Sequence, residues 1–81
     1  MELKDTVLMM ESTDYKERFR AEYHQVMIRI DGLSRMVRNY KDGALKFKPK
    51  CSYDLLNGQL KAMKLYASFL CDRAEVEDIE L

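Results

Sequence analysis

Residues 14–41, DYKERFRAEYHQVMIRIDGLSRMVRNYK, decide the fold. Phe19, Tyr23, Val26, Ile30, Leu33, Val37 and Tyr40 step by alternating fours and threes, the spacing that gathers apolar side chains into one seam along a helix. Asp14 supplies an N-cap oxygen, with Glu17 three residues on as in an acidic variant of the capping box. Asp42-Gly43 ends the run, because glycine takes the left-handed backbone that closes a helix at little steric cost. Gly32 falls inside the seam at a cost of about 1 kcal/mol against alanine and would permit a kink or a close backbone approach there.

Outward from this helix the chain reads in both directions. Leu3, Val7 and Met10 fall on one side of a short N-terminal helix within residues 1–11, which stops at Glu11-Ser12-Thr13. After residue 41, the stretch ALKFKPKCS alternates lysines with Phe47 and Pro49 and cannot stay helical through the proline. Residues 42–52 therefore read as a basic loop. A second long helix over residues 53–76 carries its own seam, Leu56, Leu60, Met63, Ala67, Leu70 and Ala74, and frays into an acidic tail over 77–81. Two long helices joined by a short loop return antiparallel. The expected fold is all-α: a short N-terminal helix followed by a long antiparallel helical hairpin, one domain over residues 1–81.

Such a hairpin is expected to assemble into an oligomer. A chain this short buries only about 60% of the surface its unfolded form exposes, which leaves a lone core marginal. Leu55, Ala62, Leu65 and Phe69 lie off the second seam, and Met27, Ile28 and Met36 widen the first helix, with no third layer to cover them. Disulfide or metal support is not indicated. Cys51 and Cys71 form no CxxC, and read as a loop thiol and a partly buried small apolar residue. The lone His24 with Glu17 and Glu22 lacks metal-ligand spacing, so neither a metal nor another cofactor is expected. No apolar run reaches the roughly 18 residues of a membrane span, and no signal peptide opens the sequence. A reduced, cytoplasmic setting is the expectation.

The formal charge is zero, yet residues 29–50 carry a local +5 and the last ten residues a local −4. That dipolar layout disfavours a nucleic-acid polymer as partner, since the acidic end repels phosphate. It suits a small anion or head-to-tail pairing of copies. No Ser/His/Asp set or glycine-rich phosphate loop is present, which argues against an enzyme. Two groups of polar residues stand beside the seams. Tyr15, Lys16, Arg18 and Arg20 crowd the start of the first long helix. Gln59, Tyr66 and Arg73 recur every seventh residue along the second. Each reads either as solvated edge or as a ligand pocket in which a tyrosine stacks and arginine meets phosphate.

With DYKERFRAEYHQVMIRIDGL, YDLLNGQLKAMKLYASFL and CDRAEVEDIEL in view, the chain resembles small phage and prophage helical-hairpin proteins, a class that includes anti-CBASS sponge proteins. The resemblance covers nearly the whole chain. It implies a compact homo-oligomer, a hexamer for proteins of this kind, that sequesters cyclic di- or trinucleotide immune signals in the infected host's cytoplasm without chemistry. On that basis Tyr15, Lys16, Arg18, Arg20, Gln59 and Arg73 are the expected ligand contacts. The competing expectation is a protein-binding phage inhibitor or assembly factor that uses the same hairpin to occlude a host protein.

Overall fold

The computed structural model describes residues 1–81, all-α and without strands. A 3-10 turn at Leu3–Thr6 runs into α1 (Val7–Met10), followed by α2 (Tyr15–Lys41) and α3 (Tyr53–Val76). Local chemistry starts the two long helices. Asp14 Oδ1 accepts from the Lys16 backbone N–H at 2.9 Å, and Ser52 Oγ accepts from the Leu55 N–H at 3.1 Å.

Contacts far apart in sequence fix the antiparallel pairing of α2 and α3. Tyr40 meets Tyr53 edge to face at 5.9 Å near the loop, Tyr66 donates to the Glu22 carboxylate midway, and Tyr15 meets Arg73 at the open end. Between them runs the core. Phe19, Val26, Ile30 and Val37 of α2 are buried against Leu56, Leu60, Ala67, Leu70 and Ala74 of α3, with Tyr23, Leu33, Tyr40 and Met63 half-buried at the margins. Every seam residue of both helices thus enters the core.

The N-terminal segment packs on α2 and makes no comparable contact with α3. It occupies the side of α2 turned away from the core. Ala21, which is fully buried there, leaves room for the approach. Thr6, also fully buried, donates its hydroxyl to the Leu3 carbonyl at 2.7 Å and accepts from Gln25 Nε2 at 3.0 Å. Each of its polar groups is thereby satisfied, as a buried hydroxyl requires. The helix α2 is the middle layer, and the outer face of α3 has no layer over it.

Three sequence readings change. A Cβ built on Gly32 meets nothing within 4 Å and α2 runs unbroken past it, so no close approach demands the glycine. Cys71 is exposed. The acidic tail does not simply fray. Asp78 adopts a left-handed backbone (φ 54°), the Ile79 N–H bonds the Ala74 carbonyl at 2.8 Å, and Ile79 is buried in the core cluster. This 6→1 turn repeats the one after α2, where Gly43 (φ 69°) lets the Ala44 N–H reach the Asn39 carbonyl at 2.8 Å. Ile79 supplies the apolar contact that such a turn favours, and that contact draws the tail back onto the hairpin.

Candidate functional site

The returning tail brings the sequence ends of the hairpin together. Tyr15 opens α2 and Arg73 sits in the last turn of α3. The Arg73 Nη2 donates to the Tyr15 hydroxyl at 2.9 Å, while that hydroxyl donates to Glu77 Oε1 at 2.8 Å. Arg73 Nε reaches Glu77 Oε2 at 3.4 Å, and its guanidinium lies 5.0 Å from the centroid of the buried Phe19 ring. One cation, one carboxylate and two aromatic rings therefore share a corner of the molecule, with the arginine held between a π-face and an anion.

Electrostatics follow from these contacts. The hydrogen bond to Glu77 is the largest influence on the Tyr15 hydroxyl. With desolvation, it raises the pKa above the usual phenol range, although Arg73 pulls the other way. For Arg73, partial desolvation acts to lower its pKa. Tyr15 and Glu77 outweigh it, so the guanidinium holds its proton more tightly than usual. Deeper in the hairpin, burial raises the Tyr23 pKa and the neighbouring Cys71 thiol adds to the effect.

Tail carbonyls take up two further cations. Lys16 Nζ donates to the Asp78 carbonyl at 3.2 Å, and Arg20 Nε donates to the Glu80 carbonyl at 2.7 Å. Tyr15, Lys16, Arg20 and Arg73 thus converge on one short stretch, residues 77–80. Arg18 turns away and donates to the Ser12 carbonyl at 2.9 Å. Gln59 is not brought to the cluster: it precedes Arg73 by fourteen residues, roughly 21 Å along the helix, and its amide faces the Met63 sulfur at 3.9 Å. The seven-residue row on α3 consequently serves different levels of the hairpin, with Tyr66 bonded to Glu22 between the two ends.

A protein-family model described as Sequestin matches residues 13–76, from the residue before the α2 N-cap to the end of α3. The chain belongs to the Sequestin family. The matched span is the hairpin itself; the N-terminal segment and the returning tail lie outside it. The Sequestin name points to holding a ligand and gives no indication of turnover, in keeping with the resemblance to sponge-type hairpin proteins. No curated protein and no solved structure matches the chain.

The Sequestin hairpin has no group of three or more His, Cys, Asp or Glu side chains placed to hold a metal ion. None of its helices is long and apolar enough to cross a membrane. Sequence reasoning missed Glu77 and Ile79. An isoleucine just after a helix end and an acid one turn beyond Arg73 were the available signals, but an aspartate at the left-handed position does not announce a turn as glycine does.

Proposed function

We propose that this member of the Sequestin family sequesters cyclic di- or trinucleotide immune signals for a phage, in pockets between subunits of a homo-oligomer and without catalysis. One observation carries the reading. At the Tyr15–Arg73 corner, the Glu77 carboxylate occupies the kind of position that a ligand phosphate would take, bonded to an arginine and a tyrosine hydroxyl together. Lys16 and Arg20 add positive charge at the same corner, whereas Arg18, turned to Ser12, and Gln59, set against Met63, lie away from it. Tyr15 is 44% exposed, enough ring to stack a base once Glu77 gives way. Neighbouring subunits complete the pocket.

Assembly has its own support. Leu55, Leu65, Phe69 and Val76 are 57–83% exposed along the side of α3 turned away from α2. An apolar row of this length on a small chain marks an interaction face. The same row supports a second reading, in which the partner is a host protein that the hairpin occludes.

Calorimetry with a panel of cyclic di- and trinucleotides tests the proposal on the intact protein. Saturable binding is expected, with affinity falling roughly 10- to 100-fold in Tyr15→Ala, the size of a lost stacking contact. No heat from any member of the panel, or unchanged affinity in the variant, would move the weight to the protein-binding reading.

A further inference from the structure

At the opposite end of the hairpin the chemistry is reversed. Every cation named at the open end has a hydrogen-bond partner within the chain, whereas Lys46, Lys48 and Lys50 form no ion pair and no side-chain hydrogen bond. No acid lies between Gly43 and Tyr53 to attract them. The left-handed backbone at Gly43 turns the chain beneath Tyr40 and carries it across the end of the helices. Leu45 and Pro49 settle half-buried, while Phe47 stays 60% exposed. Tyr40, Leu45, Lys46, Phe47, Lys48 and Pro49 together line an open cavity of about 470 Å³.

Its lining sets the apolar Leu45, Phe47 and Pro49 beside Tyr40 and two lysines, the mixture of apolar surface and a few polar groups that small-molecule sites use. A phenyl ring left in water between two lysines has a defined complement: a flat apolar group carrying a phosphate. The proline and the turn at Gly43 limit the backbone freedom that binding would otherwise have to remove.

We infer that the loop cavity is a nucleoside-phosphate site, separate from the Tyr15–Arg73 corner, in which Phe47 stacks the base and Lys46 and Lys48 neutralise the phosphate. Base stacking on an aromatic ring combined with lysine charge is the general mode for nucleotide binding without sequence readout. A phospholipid headgroup offers phosphate too, so the source must be tested.

Titration of the full-length, nitrogen-15-labelled protein with ADP, followed by amide chemical shifts, addresses the site directly. Saturable shifts concentrated in residues 43–50 are expected. Phe47→Ala should weaken ADP binding roughly tenfold. In Lys46→Gln/Lys48→Gln, ADP and adenosine should bind alike. Absence of any ADP response overturns the inference, as does retention on anionic phosphatidylglycerol vesicles without an ADP response, which would assign the loop to lipid. Inorganic phosphate binding as tightly as ADP, with Phe47→Ala silent, would remove the stacking role and overturn it as well. Shifts confined to residues 14–20 and 73–80 would also overturn it, while leaving the sequestration reading in place. Failure of cyclic nucleotides at the Tyr15–Arg73 corner leaves the ADP result unaffected.

Discussion

Tyr15 and Phe19 stand one helical turn apart with their rings edge to face at 6.3 Å, and their environments assign them different work. Phe19 is 3% exposed, so truncation removes a full ring from the core. Phe19→Ala is expected to cost about 3–5 kcal/mol of unfolding free energy, measurable by urea denaturation. Tyr15 instead offers a hydroxyl whose pKa lies above its ordinary value of 10.0 because it donates to Glu77. The folded state therefore holds this proton more tightly than the unfolded chain. Its contribution is complete below about pH 10 and is lost as pH rises through the folded-state pKa. Alkaline denaturation followed by circular dichroism, alongside tyrosinate absorbance, should show the wild type losing stability over that window. Tyr15→Phe should lose less of its stability there. Equal pH dependence in the two proteins would separate Tyr15 from the effect.

Among the elements, α2 is the most tightly specified and also carries a removable weakness. Gly32 is exposed, helical and without neighbours on its Cβ side, so it contributes only backbone freedom to the unfolded chain. Gly32→Ala is expected to add about 0.5–1 kcal/mol by denaturant titration. A loss of stability would reveal a packing role for the glycine. Both seams were legible in the sequence because heptad spacing maps directly onto one helical face. The loop was legible through Gly43 and Pro49. Less accessible was the destination of the side chains that flank the seams. Nothing in the spacing of Lys16, Arg20 and Arg73 distinguishes a cation awaiting an anion from one that meets the chain's own tail. That distinction depends on Asp78 accepting a positive φ and Ile79 burying itself, a tertiary choice. Likewise, the N-terminal segment was recognisable as a helix, but its place on α2 rests on Ala21 being small and on the Gln25–Thr6 bond.

The molecule as a whole is thin. Its extents are 43 × 25 × 16 Å and its radius of gyration is 15.1 Å, against about 12 Å for a compact chain of this length. Only 12 of 81 residues are buried, so little core is available to absorb the exposed row on α3. If copies of the chain associate through this row as proposed, Phe69→Glu should leave the protein monomeric while retaining helical circular dichroism, since that ring is 57% exposed within the chain. Light scattering that finds the wild type monomeric at micromolar concentration would remove the premise. The layout of cross-hairpin contacts also orders events in time. Tyr40 reaches the Cys51 carbonyl across 11 residues, Tyr66 reaches Glu22 across 44, and Lys16 reaches Asp78 across 62. Loop-closure entropy rises with each separation, but every contact formed shortens the loop that the next must close. Folding should therefore zip from the Gly43–Pro49 end, and the junction of the α2 start with the C-terminal tail should be the last part to form and the first to open.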